Sequence, residues 1–72
     1  MLCAAMNRYK VTCKGRSVRV YDVNGWRAIR RVATRMREEL STEAEISIHD
    51  PDHTTYRQGT KGGEWVTAVV RS

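Results

Sequence analysis

Hydrophobic residues between positions 26 and 40 recur with the period of an α-helix. The apolar positions of this segment are Trp26, Ile29, Val32, Ala33, Met36 and Leu40. At about 100° per residue, these positions fall within an arc of roughly 120°. Asn24 precedes the segment, and asparagine is a common helix cap because its side-chain oxygen accepts a hydrogen bond from the first turn. The pattern therefore predicts one amphipathic helix that begins after Asn24 and ends near Leu40.

Alternation of apolar and polar residues predicts strands on both sides of this helix. The alternation runs along residues 9–13 and again along 18–21, which is typical of half-buried strands. The turn-forming segment 14–17 between them predicts a hairpin. After the helix, Ile46 and Ile48 alternate with polar residues and indicate a third strand.

The last third of the chain contains two predicted turns, at residues 50–53 and 60–63, and one strongly apolar strand. Residues 50–53 read Asp-Pro-Asp-His and fit a type I turn. Residues 54–58 are rich in β-branched and aromatic side chains and favour a short additional strand. Residues 65–70 are apolar on both sides, which is typical of a strand in the middle of a sheet or of one covered at an interface.

These elements predict an α+β fold with the order β-β-α-β-β. One amphipathic helix packs on one face of an antiparallel sheet of four strands, or of five if residues 54–58 form a strand. We expect a flexible N-terminal end over residues 1–7 and a single domain over residues 8–72. The predicted core consists of Val11, Val18, Val20, Ile29, Val32, Met36, Leu40, Ile46, Ile48 and either Trp65 or Val66.

The charge of the chain favours a polyanionic partner. The 72 residues carry a net charge of +5, and 13 of them are lysine or arginine. Nucleic acid, an acidic protein surface and anionic lipid are the partners that such a balance favours. A GC-rich coding sequence would also enrich arginine over lysine, so composition alone does not separate the two explanations. The positions of the arginines carry more information.

Arginines crowd the polar side of the predicted helix. We predict a partner-binding surface formed by Arg27, Arg30, Arg31, Arg35 and Arg37. Cations normally favour the C-terminal turn of a helix, yet here they occupy the first turns while Glu38 and Glu39 follow near the end. This order predicts a surface that meets an anion, at a small cost in stability. The alternative is a solvated helix face on which Arg35 pairs with the two glutamates.

The polar side of the sheet is a second candidate surface. If Val18 and Val20 point at the helix, Arg19 and Tyr21 between and beside them point away. The predicted secondary platform consists of Lys10, Arg19, Tyr21, Tyr56 and Arg57. Basic and aromatic side chains on a sheet bind single-stranded nucleic acid by stacking and charge. Ordinary solvent-facing strand residues would have the same composition.

Metal-binding and catalytic patterns are weak in this chain. His49 and His53 flank the Asp-Pro turn, but the two cysteines, Cys3 and Cys13, lie far upstream and do not complete a zinc spacing. Cys13 alternates with apolar residues and is predicted to be a buried strand thiol. No nucleophile, base and orienting group occur together, and no glycine-rich phosphate loop precedes a helix. We therefore expect no enzyme activity, no metal and no cofactor.

The sequence favours a small basic binding protein that engages nucleic acid, or a nucleic-acid-handling protein complex, through the arginine face of its helix. No apolar run approaches the roughly 18–20 residues of a membrane span, so we expect no membrane partner and a cytoplasmic location. A homodimer that buries residues 65–70 by edge pairing is a further alternative.

In size, charge bias and hairpin–helix–hairpin order, the chain resembles small phage-encoded proteins, including some anti-CRISPR proteins. The resemblance spans about Arg8 to Arg71 and is one of architecture. It implies an inhibitor inside an infected host cell that binds an effector complex and blocks it. No sequence motif accompanies the resemblance, so it assigns no site residues.

Overall fold

One helix and five strands form the protein in a computed structural model that describes residues 6–50 and 52–71. In chain order the elements are β1 (Asn7–Cys13), β2 (Arg16–Asp22), α1 (Gly25–Arg35), β3 (Leu40–Asp50), β4 (His53–Thr60) and β5 (Trp65–Arg71). The predicted α+β class and element order are confirmed, and the optional strand is present as β4. Most of the predicted flexible end lies outside the described residues, but Asn7 already belongs to β1.

The strands form one antiparallel sheet in the order β2-β1-β5-β4-β3. Strand β5 lies in the middle and pairs with β1 on one side and with β4 on the other. The central position is one of the two placements that its apolar sequence predicted. Both edges of β5 are occupied within the chain, so the predicted dimer that pairs this strand at its edge is wrong.

The first hairpin turns over two residues. Lys14 and Gly15 connect β1 to β2, and their φ angles are 52° and 75°. Two consecutive positive φ angles are the feature of a type I′ turn, whose twist matches that of the flanking strands. The turn is therefore shorter than the predicted segment 14–17, and β2 begins at Arg16.

Helix α1 begins where the sequence predicts. Asn24 has an extended backbone, and its Oδ1 accepts a hydrogen bond of 2.9 Å from the backbone N–H of Arg27. This bond satisfies one of the amide groups that the first turn leaves without a partner. The predicted capping role of Asn24 is confirmed.

The helix ends earlier than predicted, at Arg35 instead of Leu40. Arg37 has a φ of 58°, and the next residue, Glu38, donates its backbone N–H to the carbonyl of Ala33 at 2.8 Å. The backbone N–H of Arg37 also donates to the carbonyl of Thr34 at 3.1 Å. These two bonds form a Schellman motif in which arginine takes the left-handed position that glycine usually occupies. No glycine marks the end of the helix. Because Met36 and Leu40 continue the helical spacing of apolar residues, the prediction extended the helix too far.

The core lies between α1 and one face of the sheet. Its buried hydrophobic members are Tyr9, Val11, Cys13, Val20, Ala28, Ile29, Val32, Val66 and Ala68. Met36 and Leu40 are partly buried and pack against this core. Of the two alternatives at the start of β5, Val66 is buried and Trp65 is only half-buried. At 11 residues α1 is short, and no helix in the described part of the chain is long and apolar enough to span a membrane.

Three predicted core residues are exposed instead. Val18 is 36% exposed, Ile46 is 49% exposed and Ile48 is 70% exposed. The helix packs on β1, β2, β4 and β5, whereas β3 lies at the sheet edge and contributes no buried residue. Ile46 and Ile48 therefore share the helix-facing side of the sheet without being covered. Val18 lies on the opposite edge strand, beside the helix and not beneath it.

Candidate functional site

Four arginines form the outer face of α1. The helix arginine face consists of Arg27, Arg30, Arg31 and Arg35, all of which keep solvent-accessible side chains. Helix residues 25–35 contain no acidic side chain. Arg37, the fifth predicted member, lies beyond the helix in the left-handed turn and does not belong to this face.

A buried carboxylate holds two of these arginines. Asp22 is only 3% exposed, and its Oδ1 accepts the backbone N–H of Val23 at 2.8 Å. The Nε of Arg27 lies 3.4 Å from Asp22 Oδ1, and a terminal nitrogen of Arg31 lies 3.3 Å from Asp22 Oδ2. Asp22 is at the end of β2, close to the N-terminal end of α1, where an anion is favoured by the helix dipole. The helix start is thus less electropositive than its own sequence implies.

This arrangement changes the effect that the arginines are expected to have on folding stability. The sequence predicts that they reduce stability slightly because they reinforce the positive pole of the helix. Instead, Arg27 and Arg31 compensate a buried charge, and removing both would leave Asp22 buried without a counter-ion. Their side chains remain 63% and 50% exposed, so each keeps N–H donors directed toward solvent.

Arg30 and Arg35 differ from this pair. Within residues 6–50 and 52–71, no carboxylate lies within ion-pair distance of either side chain. The predicted pairing of Arg35 with the glutamates is wrong, because the helix ends before they are reached. Glu38 pairs with Lys14, and Glu39 pairs with Lys61 at 3.4 Å. Arg30 and Arg35 are therefore the helix cations most available to an outside anion.

A shallow cleft lies beside Arg35. It runs between α1 and the edge of β2 and is lined by Arg16, Val18, Val32, Arg35 and Met36. The floor is apolar and both flanks carry a guanidinium group. The exposure of Val18 results from this cleft, because the helix does not close over the edge strand.

The opposite side of the sheet carries a second basic surface, which no helix of the described chain covers. Tyr9 and Val11 are buried beneath α1, so their neighbours Arg8 and Lys10 point away from it. Register then assigns the residues of the other strands to the same side. We define the open sheet face by its basic and aromatic residues, which are Arg8, Lys10, Arg19, Tyr21, Arg57, Trp65 and Arg71.

The open sheet face is arranged in cross-strand rows. Lys10 lies opposite Arg19 of β2, and Arg8 lies between Tyr21 of β2 and Arg71 of β5. Neighbouring strands are about 4.8 Å apart, so these side chains are adjacent. The row structure brings like charges together on three neighbouring strands.

Further along the face, an arginine covers an aromatic ring. The guanidinium carbon of Arg57 lies 4.4 Å from the ring centroid of Trp65, which is a cation–π contact. The same guanidinium group is 3.4 Å from the carboxylate of Glu45 on β3. Glu45 lies opposite Arg57 in the register and is therefore an acidic residue on this face.

Tyr56, which the sequence assigned to this platform, lies on the other face of the sheet. Its ring makes edge contacts with Tyr9 at 6.0 Å and with Trp26 at 5.0 Å between centroids. It also packs against Gly25 at the start of α1. The prediction placed Tyr56 and Arg57 on one surface, although adjacent strand residues point to opposite faces. The sequence missed Arg8, Trp65 and Arg71, which the period of two along β1 and β5 would have assigned once β5 was known to be central.

The two histidines lie close together, whereas the described cysteine, Cys13, lies in the core. The rings of His49 and His53 lie 4.7 Å apart, and Pro51, which lies between them in the sequence, is outside the described residues. No group of three or more metal-ligating side chains occurs in the part of the chain that the structure describes. Cys13 is buried as predicted, and burial raises the pKa of its thiol, which the nearby Glu38 raises further. Cys3 lies outside the described residues.

Comparison with known proteins gives no match to a protein-family model, to a curated protein or to a solved structure.

Proposed function

We propose that this chain is a non-enzymatic binding protein that engages nucleic acid through the helix arginine face. The observation that carries the proposal is the composition of α1, which presents four arginines to solvent and contains no acidic residue. Arginine suits phosphate because its planar group offers five N–H donors and stays charged at all physiological pH values. A helix face of this kind meets phosphates on the outside of a nucleic acid without needing a pocket.

The ion pairs that Arg27 and Arg31 form with Asp22 support this proposal. Each guanidinium group lies within ion-pair distance of the buried Asp22, and each side chain remains at least half exposed. A side chain held in this way loses less rotamer freedom when a phosphate binds. Arg30 lies beside this group, in a depression that all four residues line. Asp22 therefore supports the arrangement of the arginines and does not cancel it.

The test replaces the two helix arginines that Asp22 does not hold. The double variant Arg30→Gln/Arg35→Gln removes two positive charges and leaves the Asp22 contacts intact. We expect it to weaken binding to a fluorescent DNA duplex and to reduce the salt slope by about 0.9 for each phosphate that is no longer neutralised. Binding is measured by fluorescence anisotropy between about 50 and 200 mM salt, the range over which counterion release is resolved.

The matched control is Lys14→Gln/Lys61→Gln. It removes the same charge from residues that pair with Glu38 and Glu39, away from the outer helix face. We expect the control to bind the duplex nearly as the parent does. If the helix variant keeps the parent affinity at low salt, or if both variants lose affinity equally, the helix arginine face is not the site.

A second candidate function is the inhibition of an effector complex of the anti-CRISPR type, through contact with its protein surface. The cleft beside Arg35 favours this candidate, because an apolar floor flanked by guanidinium groups suits a protein partner better than a phosphate chain. An affinity pull-down separates the two functions. Capture of a partner that survives nuclease treatment, and that fails with Val18→Asp, would support the protein-directed function.

A further inference from the structure

We infer that the open sheet face is a second binding surface, and that its ligand is single-stranded nucleic acid. This surface lies on the side of the sheet away from α1, so it is separate from the helix arginine face. It carries five cations on β1, β2, β4 and β5, namely Arg8, Lys10, Arg19, Arg57 and Arg71. The inference does not depend on the function proposed for the helix.

The pairing of like charges is the first argument. Lys10 lies directly opposite Arg19, and both side chains are exposed. Like charges at opposed positions of an antiparallel pair oppose strand pairing, whereas a bound anion between them would be attracted to both. Arg8 and Arg71 are opposed in the same way on the next strand pair. A phosphate chain that crosses β2, β1 and β5 would meet these rows in succession.

The exposed ring of Tyr21 favours a single strand over a duplex. Tyr21 is 57% exposed and lies in the same row as Arg8. Unpaired bases stack on exposed rings of this kind, whereas the bases of a duplex are already stacked on one another. Trp65 also lies on this face, but it is half-buried and the guanidinium group of Arg57 covers its ring, so a base at this position would stack on the guanidinium group.

The distribution of acidic residues limits the footprint. Glu45 of β3 lies beside Arg57 and marks the edge of the basic region. Strand β3 also carries Glu43 and Asp50, and both are exposed. On the open sheet face, the charged side chains are thus basic on β2 and β1 and at Arg71 of β5, whereas β3 contributes Glu45. We expect the nucleic acid to contact the basic side of the sheet and to end near Arg57.

The test measures binding of a fluorescent oligothymidine of about 12 nucleotides, a length within the site sizes of known single-strand modules. Tyr21→Ala should weaken its binding by about 5- to 150-fold, the range that removal of a stacking ring produces. Tyr21→Phe keeps the ring and should bind as the parent does. Because Tyr21 is exposed, both variants should fold, and their melting temperatures verify this.

A charge variant completes the test. Lys10→Gln/Arg19→Gln should reduce the salt slope by about 0.7 for each phosphate of the single strand that is no longer neutralised. Lys14→Gln/Lys61→Gln removes equal charge away from the face and should have little effect. The inference is wrong if the parent does not bind the oligonucleotide, if Tyr21→Ala binds it as tightly as the parent, or if the control pair weakens binding equally. Arg30→Gln/Arg35→Gln on the duplex tests the helix separately, so either surface can fail alone.

Discussion

The two hairpins of this protein have similar sequence patterns but differ in how they are buried. In the first, β1 alternates apolar and polar residues, and its apolar side is sealed by α1. In the second, β3 alternates in the same way, yet Ile46 and Ile48 stay exposed because the helix does not reach the edge strand. Alternation therefore identifies the residues that share a face. Whether that face is covered depends on the length and position of the helix.

The largest expected effect on stability is in the core between α1 and the sheet. Ile29 is fully buried in α1 at the centre of the core. Ile29→Ala should lower the free energy of unfolding by about 2–5 kcal/mol, because it removes buried methylene groups and leaves a cavity. A core of this size supplies roughly 3–5 kcal/mol in total, so the variant should be largely unfolded. Urea unfolding followed by circular dichroism measures this, and a melting temperature within a few degrees of the parent would contradict the packing.

The next largest effect on stability is expected where the start of α1 packs against β4 of the second hairpin. Gly25 begins α1 against the ring of Tyr56 in β4, and a Cβ at this position would overlap that ring. Gly25→Ala should therefore cost about 1–3 kcal/mol through displacement of the ring or the helix start. Urea unfolding of the variant and the parent measures this difference.

Gly62→Ala is the matched control for this change. A Cβ there would meet only Thr60 Oγ1, at 3.8 Å. The control should unfold at nearly the urea concentration of the parent. Equal stability of the Gly25 and Gly62 variants would mean that Tyr56 does not pack against the helix start.

The sequence predicted local features better than distant ones. The cap at Asn24 was predicted because a single side chain and an adjacent amide determine it. The end of the helix was not, since Arg37 takes a left-handed conformation that its residue type does not announce.

For the candidate surfaces too, the sequence predicted local features better than long-range contacts. The helix arginines were predicted from their period, but their contacts with Asp22 depend on how β2 leads into α1. Trp65 and Arg71 could be assigned to the open sheet face only once β5 was known to be the central strand. This strand pairs with β1, which lies more than fifty residues earlier in the chain. Strand order of this kind is a long-range property that alternation alone does not encode.

A smaller effect, of opposite sign, is expected at the helix end. Arg37 has a φ of 58°, which crowds the Cβ of any residue other than glycine. Arg37→Gly should raise the free energy of unfolding by up to about 1 kcal/mol, the strain relief being partly offset by the greater freedom of glycine in the unfolded chain. Arg35→Gly, inside the last helical turn, should instead lower it by up to about 1 kcal/mol. Denaturation midpoints that move in the same direction for both variants would contradict the Schellman ending.

The smallest expected effect tests the comparison most directly, at Ile48 in the uncovered strand. Ile48 is 70% exposed, whereas the isoleucine of the core, Ile29, is fully buried. Ile48→Thr keeps a β-branched side chain at the same strand position, so the free energy of unfolding should change by no more than about 0.5 kcal/mol. The measurement is repeated over a wide range of protein concentration, because a surface covered by a second copy would be stabilised only when copies associate. A loss that approaches that of Ile29→Ala at every concentration would mean that β3 is covered within the chain, and the contrast between the two hairpins would then be wrong.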